Sequence, residues 1–473
     1  MGKTKRSFMN KLQKLGRTLM TPMAVLPVAA ILFRFGQVDI WIPMGILPNG
    51  IPWMVAAAEA IFSNLALIFA ISIAIGLADE NNGVAAISAV MGFFILTKVA
   101  LAINSTIEMG ILEGILIGSL SAYLYNKYKL IKVPELLGFF GGKRFVPIIT
   151  SIYSLLIGLF IGYVWPLIES SISILGNNVN KFGVVGVFIF GFFNRILIPF
   201  GLDNKFNSSF WFEFGTYTNR VGNVVTGDIN RFLAGDPLAG TFMTGLFPIT
   251  MFALPAACIA IITAANKENK KSVTGMLVGF ALISFLTGIT IPIEFMFMFL
   301  APVLYLIHAI LTGAALVITY LLGMKCGFVF SAGLIDYLLN FRISTKPLGI
   351  LGVGLIFGIA YYFIFLYFIK KFDIPTPGRM EEESIKLCNL KDSELKQKAE
   401  EMIEAIGEKE NIVSIEACIT RIRLEVVDST KVDEALLKEI GATAVMKLNS
   451  TNYQIIVGNI ADSLVTYIDN LME

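Results

Sequence analysis

The sequence predicts a multi-pass α-helical membrane domain of about ten apolar segments, two of them re-entrant, followed by a small soluble α/β sandwich domain. Three observations carry this expectation. Hydrophobic residues make up 56% of the 473 positions and charged residues only 15%, against about 25% charged in an average soluble domain. Mean hydropathy is +0.74. The texture changes after Lys371, where Pro, Gly and acidic residues replace apolar runs. The expected division is therefore 1–371 in the membrane, 372–390 as an exposed linker and 391–473 as a cytoplasmic domain. A net charge of +2 gives no basis for a nucleic-acid partner. Cys258, Cys326, Cys388 and Cys418 show no CxxC spacing, which argues against a disulfide framework and against a zinc site.

Lys3, Lys5, Arg6, Lys11, Lys14 and Arg17 precede the first apolar run without an acid or a small-residue cleavage site. They predict a basic amphipathic entry helix on the cytoplasmic surface and not a cleaved signal peptide. Runs of the length that spans a bilayer, roughly 17–25 residues, lie near 20–36, 54–78, 84–103, 109–125, 145–168, 182–201, 244–264, 273–290, 295–322 and 348–370. Basic clusters outside them fall at the N-terminus, at 127–144, at 267–271 and at Lys370/Lys371, and the positive-inside rule places all four in the cytoplasm. Four runs separate the first two clusters, but three separate each later pair. An odd count with both ends on one side requires a segment that enters and returns.

Each odd interval contains an apolar run broken by Pro, Gly and polar residues: Arg195 to Asn207 around Pro199 and Gly201, and Gly288 to Phe295 around Pro292. Backbone freed from helix at membrane depth persists only where protein or water covers it, so such breaks mark a binding site. The competing reading is two ordinary kinked helices whose Arg195 and Glu294 snorkel to an interface.

From about Lys391, a helix stopping at Gly407, β-rich runs at 412–418 and 420–427, a helix near 431–440, strands near 442–448 and 453–457 and a helix at 462–472 give an α/β sandwich. Cys418 ends the first strand run, and Arg421 and Arg423 share a face if the second is extended. Guanidiniums beside a thiol favour the nucleophilic thiolate. They also hold a dianionic phosphoryl group, with Thr420 Oγ and backbone N–H groups completing a cradle. The bland alternative is a buried cysteine acting as a small hydrophobe.

Cys418-Ile-Thr420-Arg421-Ile-Arg423 resembles the phosphorylation-site loop of the enzyme IIB domain in the phosphoenolpyruvate-dependent sugar phosphotransferase system, glucose type. The preceding part resembles the IIC domain of that family at Leu137-Gly-Phe-Phe-Gly-Gly-Lys143-Arg-Phe-Val-Pro147, at Gly227-Asp-Ile-Asn-Arg-Phe-Leu-Ala-Gly235-Asp-Pro, at Thr287-Gly-Ile-Thr-Ile-Pro-Ile-Glu294-Phe and at Thr376-Pro-Gly-Arg379. The resemblance covers essentially the whole chain. It implies a permease of the bacterial cytoplasmic membrane that imports a hexose, glucose or a close analogue, and phosphorylates it from phosphocysteine at Cys418, with Thr420, Arg421 and Arg423 as the loop residues. It further implies no bound cofactor, a phosphoryl group that comes ultimately from phosphoenolpyruvate through phosphohistidine carriers, and a homodimer formed through the IIC domain. His308, the single histidine, lies in an apolar run and reads as a hydrogen-bonded helix residue, so the IIA phosphocarrier is expected on a separate protein.

Three departures from the family pattern fall in the two breaks. Gly-Leu-His-His becomes Gly201-Leu202-Asp203-Asn204, the first acid of Gly-Ile-Thr-Glu-Pro becomes Ile291, and a Glu-Arg pair becomes Asn194-Arg195. The family's sugar contacts at the changed positions do not carry over. Arg195, Thr290 and Glu294 match and are the expected pocket residues, with Asp203 and Asn204 added because Asp203 can supply the acceptor lost at 291. A transport-impaired sensor that keeps Cys418 phosphorylation, a permease for a different sugar and drift in a degenerate copy are the alternatives these changes leave open.

Overall fold

A computed structural model of the chain describes residues 14–16, 18–19, 22–42, 45–79, 82–179, 182–219, 222–267, 269–374, 376–379, 392–418, 421–442, 444–457 and 460–472. The chain forms two units, 1–266 with 270–379, and 380–473 with 267–269. Most of the expected basic entry helix, and residues 380–390 of the expected linker, lie outside the described residues.

In the first unit the helices are α1 (Leu26–Gly36), α2 (Pro52–Phe62), α3 (Leu65–Leu77), α4 (Gly83–Ile103), α5 (Ile111–Tyr128), α6 (Phe145–Val179) and α7 (Gly183–Ile196). A short α8 (Asp203–Ser208) and a small hairpin, β1 (Thr216–Thr218) with β2 (Val224–Thr226), follow. The unit closes with α9 (Asp228–Leu233), α10 (Leu246–Ala264), α11 (Lys270–Thr287), α12 (Ile291–Leu300), α13 (Pro302–Leu321), α14 (Leu334–Leu339) and α15 (Pro347–Lys371).

The count of about ten apolar segments, two of them re-entrant, is not confirmed. Among the described residues five helices are long and apolar enough to cross a membrane, or six if α2 and α3, bent by 41° at their junction, form one span. Contiguous apolar length overstates the number because the chain breaks inside the runs. The run at 295–322 is two helices separated at Ala301, where Pro302 starts the second. The runs at 20–36 and 182–201 yield helices of 11 and 14 residues, and α5 carries Glu113, Asn126 and Lys127 along its 18 residues. The expected exposed linker is also shortened from its N-terminal side. Thr376 is fully buried, Asn266 N–H donates to the Gly378 carbonyl at 3.0 Å, and Arg379 Nη1 donates to the Ala264 carbonyl at 3.2 Å. The Ala264 carbonyl and the Asn266 N–H at the end of α10 thus hold residues that composition alone assigned to solvent.

One buried cluster of charge ties the start of this unit to its end. Arg34, fully buried near the end of α1, contacts both oxygens of Asp39 at 2.8 and 2.9 Å and lies 3.0 Å from Oδ2 of Asp336 on α14. Asp336 Oδ1 also accepts from the backbone N–H groups of Val329 and Phe330 at 2.9 and 3.1 Å. The guanidinium packs 5.2 Å from the ring centre of Phe330.

The second unit contains α16 (Asp392–Ile406), β3 (Ile412–Cys418), β4 (Arg421–Val426), α17 (Glu434–Ile440), β5 (Ala444–Lys447), β6 (Asn452–Ile456) and α18 (Ala461–Met472). Its strands form one antiparallel sheet in the order β3-β4-β6-β5. Ile422, Leu424 and Val426 alternate with more exposed Arg421, Arg423 and Glu425, the period-two pattern of a sheet covered on one face. The covering side chains include Met402 and Ile406 of α16 and Leu464 and Ile468 of α18. The expected sandwich is therefore a two-layer domain whose uncovered sheet face carries the arginines.

Replacing Arg34 by Met should destabilise the membrane unit by about 3–5 kcal/mol, because two carboxylates lose their counter-charge. Adding Asp336→Asn, which keeps an acceptor for Val329 and Phe330, should recover part of that loss. Thermal unfolding of the detergent-solubilised protein, followed by the amount remaining monodisperse, reads both effects.

Candidate functional site

The two broken segments meet at one cavity of about 540 Å³, a size suited to a small solute. α7 ends at Ile196, a short 3-10 turn spans Ile198–Phe200, and Gly201 adopts φ +68° before α8 begins. This geometry needs glycine for two reasons. The left-handed conformation disfavours side chains, and a Cβ at Gly201 would lie 2.6 Å from the Met109 carbonyl oxygen and 2.9 Å from the Gly110 Cα. At the second break Gly288 has φ +77°, and a Cβ there would sit 2.8 Å from the Ala332 nitrogen. Ser331 Oγ donates to the Gly288 carbonyl at 3.0 Å, which fastens this break to residues 328–332.

Of the five pocket residues expected from sequence, Arg195, Asp203, Asn204 and Thr290 line the cavity. Glu294 does not. It is fully buried behind the lining and 2.5 Å from Arg195 Nη1, which also approaches Thr290 Oγ1 at 3.3 Å. Both segments therefore contribute to one site, and Glu294 acts on it through the guanidinium. Behind the pair, Tyr305 O–H donates to the Arg195 carbonyl at 2.5 Å. His308 lies with Nε2 3.4 Å from Glu294 Oε1 and Nδ1 3.0 Å from the Tyr361 hydroxyl. His308 is fully buried, a helix residue with hydrogen-bonding neighbours as the sequence predicts.

Asn194 Nδ2 donates to Asn207 Oδ1 at 2.7 Å and so clamps α7 to α8 across the break. Asn194 lines the cavity, and its Oδ1 is buried without a hydrogen-bond partner among the described residues. Ile291, the apolar replacement at the second break, also lines the cavity. The aromatic part of the wall comes from Phe62, Trp211, Phe295, Phe328 and Phe330, rings that suit the C–H faces of a sugar. Trp211 Nε1 donates to the Phe242 carbonyl at 3.3 Å, and Asp228 holds that stretch by accepting from the Gly240 and Phe242 N–H groups, each at 2.8 Å. The Gly227-to-Pro237 motif is thus a brace for one wall.

Sequence reasoning missed Asn194 as a lining residue, Trp211, and the wall at 328–332. The wall has no local signal, because it is brought in by Arg34 and Asp336. Those two charges were a usable clue, since ionisable residues within apolar stretches are expensive unless paired.

In the second unit Cys418 and Arg421 are Cα partners where β3 turns into β4. Thr420 lies between them, outside the described residues. Arg423 pairs in register with Glu416 on one side and Gln454 on the other. Arg421 Nη1 donates to Gln454 Oε1 at 3.0 Å, which orients the half-buried guanidinium beside the turn. The two arginines do share the uncovered face, as the sequence spacing predicts.

A helical membrane domain enclosing a polar cavity of sugar size, on one chain with a small domain that turns at Cys-x-x-Arg-x-Arg, defines a solute permease carrying its own phosphotransfer module. The family model "Phosphotransferase system, EIIC" matches residues 16–313, and "phosphotransferase system, EIIB" matches residues 400–433. The chain is 46% identical over 459 residues to the N-acetylglucosamine-specific EIICBA component of Escherichia coli K12, covering 96% of this chain and 70% of that protein. It is 45% identical over 449 residues to the N-acetylglucosamine-specific EIICB component of Bacillus subtilis, covering 94% and 96%. It is 43% identical over 475 residues to the glucosamine-specific EIICBA component of the same organism, covering 98% and 74%. This chain belongs to the EIIC family of the phosphotransferase system, with a C-terminal EIIB domain, and is a sugar phosphotransferase of the membrane. The relatives do not support glucose as the particular sugar.

Glu294→Gln should leave the Arg195 guanidinium buried without its counter-charge. Truncating one partner of such a pair costs about 3–5 kcal/mol. Sugar uptake should fall at least tenfold and the melting temperature should drop, while phosphoryl incorporation at Cys418 continues. Labelled-sugar uptake, thermal unfolding and phosphoprotein gels measure the three.

Proposed function

We propose that this chain imports a hexosamine through the cavity between the broken segments and releases it inside as a phosphate ester. The observation that carries this reading is the convergence of Arg195, Asp203, Asn204 and Thr290 on one sugar-sized cavity in a chain whose Cys418 and Arg421 are cross-strand partners in the EIIB sheet. Hexosamine is favoured over glucose because relatives matched over 94–98% of this chain are described as specific for N-acetylglucosamine or glucosamine. The sensor reading loses its motivation, because the changed positions 203, 204 and 291 line a formed cavity.

The chemistry divides into two displacements. The Cys418 thiolate attacks the phosphorus of a phosphohistidine on a IIA phosphocarrier, supplied as a separate protein and charged ultimately from phosphoenolpyruvate. The S–P bond forms, the N–P bond breaks and the imidazole leaves. A sugar hydroxyl oxygen then attacks the same phosphorus, the O–P bond forms, the thiolate leaves and the hydroxyl proton passes to solvent. Arg421, Arg423 and Thr420 hold the phosphoryl oxygens, where positioned donors stabilise the charge that spreads over them in the transition state. The positive-inside rule applied to the basic clusters supports a cytoplasmic N-terminus and EIIB domain, on which side the product's charge keeps it from returning.

Vesicles supplied with labelled sugars, phosphoenolpyruvate, the general phosphotransfer proteins and a IIA protein test this directly. Hexosamine phosphate inside supports the reading, whereas free sugar inside or phosphoprotein without product overturns it. Cys418→Ser should abolish both phosphoprotein and product. Arg423→Gln should slow transfer to sugar by about 10²-fold, the usual loss when one donor to a developing oxyanion is removed.

A further inference from the structure

The single histidine of the chain lies in the layer behind the cavity, against the carboxylate that holds Arg195. Glu294 Oε1 is 2.5 Å from Arg195 Nη1 and 3.4 Å from His308 Nε2. On the other side of the ring, His308 Nδ1 is 3.0 Å from the Tyr361 hydroxyl. Four helices are joined in this way, α15 through Tyr361, α13 through His308, α12 through Glu294 and α7 through Arg195. Tyr361, His308 and Glu294 are fully buried, and of the four residues only Arg195 lines the cavity.

Where the imidazole carries its proton follows from what each nitrogen meets. A neutral imidazole has one donor and one acceptor, and the hydrogen bond made by one nitrogen sets the role of the other. Nε2 faces a carboxylate paired with a guanidinium, which offers acceptors only. His308 Nε2 and Glu294 Oε2 are each buried without a hydrogen-bond partner among the described residues. That state is costly, and a proton on Nε2 relieves it once the carboxylate turns about its soft terminal torsion. Nδ1 is then an acceptor for the Tyr361 O–H. The His308 carbonyl, 3.3 Å from that hydroxyl, already accepts from Thr312 Oγ1 at 2.9 Å. The opposite tautomer would set a lone pair against the carboxylate. An imidazolium would place a second buried cation on a carboxylate that Arg195 already neutralises.

We propose that His308, as the neutral Nε2–H tautomer held by Tyr361, is a positioning residue for sugar binding: it fixes the Glu294 carboxylate and, through it, the guanidinium of Arg195. Arg195 Nε has no hydrogen-bond partner among the described residues, so the guanidinium takes its orientation from the contacts of Nη1 with Glu294 and Thr290. The sugar-binding role rests on the hexosamine reading above and deepens it.

Because the chain has one histidine, labelling the full-length protein with [13C,15N]histidine, in a preparation without a polyhistidine tag, gives one set of ring signals whose shifts report which nitrogen is protonated. A neutral ring protonated at Nε2 is expected at neutral pH. Protonation at Nδ1, or an imidazolium, overturns the proposal, and this measurement on the wild type decides it even if a variant does not fold. Calorimetric binding of glucosamine and N-acetylglucosamine to the detergent-solubilised protein reads the consequence. His308→Gln places an amide N–H near the position of Nε2 and should keep wild-type affinity to within about threefold, whereas His308→Phe, a ring without a donor, should weaken binding by about 10- to 100-fold, the range for hydrogen bonds to charged groups. A role in filling space alone predicts the reverse order, because phenylalanine keeps the ring and glutamine does not. Unchanged binding in His308→Phe, or an equal loss in both variants, overturns the proposal while hexosamine binding by the wild type leaves the broader reading standing. If the wild type binds neither sugar, the hexosamine reading falls and takes the sugar-binding role with it, whatever the ring signals show.

Discussion

The Arg195–Glu294 pair is the contact on which the membrane unit's organisation depends. Each partner sits at a break in its helix, and the two positions are 99 residues apart in the chain. At membrane depth neither charge is tolerable alone, so the breaks at 196–203 and 287–291 are obliged to meet. The cavity is what remains between them. Glu294 faces away from that space and contributes by fixing the guanidinium, while Tyr305 anchors the Arg195 backbone and His308 and Tyr361 fill the volume behind. A rigid polar layer behind the lining is the arrangement expected of a preorganised binding site.

The same logic operates at Arg34, Asp39 and Asp336, where a buried guanidinium is shared between two carboxylates. Such clusters contribute less to net stability than their short distances suggest, since desolvation offsets the attraction. Their effect here is geometric. Asp336 accepts from Val329 and Phe330, and so aims the 328–332 segment at the cavity, where Ser331 meets Gly288. Thr250, also in the lining, adds a hydrogen bond to the Ala332 carbonyl. Irregular backbone at this depth is therefore covered by protein contacts along its length, which is the condition for its survival in a bilayer.

The EIIB domain works under different constraints. Its helices cover one sheet face with apolar side chains, leaving the other face free to carry Arg421 and Arg423 beside the β3–β4 turn. Because side chains on a strand alternate, a two-residue spacing is enough to place both guanidiniums on the working face. That part was legible from a string of seven letters. The breaks in the membrane unit were legible too, because Pro199, Gly201, Gly288 and Pro292 interrupt otherwise apolar runs. The number of spans was not, since an apolar run such as 295–322 contains no sequence mark that distinguishes a kink from the separation seen at Ala301. The linker was misjudged for a related reason: composition cannot show that Thr376 is buried or that Arg379 reaches the Ala264 carbonyl at the end of α10.

Local pattern alone determined the membrane class, the two-domain order, the positions of the breaks and the Cys-x-x-Arg-x-Arg motif, because helix and strand periodicity, proline and glycine act over a few residues. Tertiary packing decided which polar groups line the cavity and which only support those that do. It set Glu294 behind Arg195, placed Asp203 and Asn204 in the lining and brought 328–332 into the wall. Those outcomes depend on how distant charges neutralise one another once water is excluded, and no short stretch of sequence encodes that pairing.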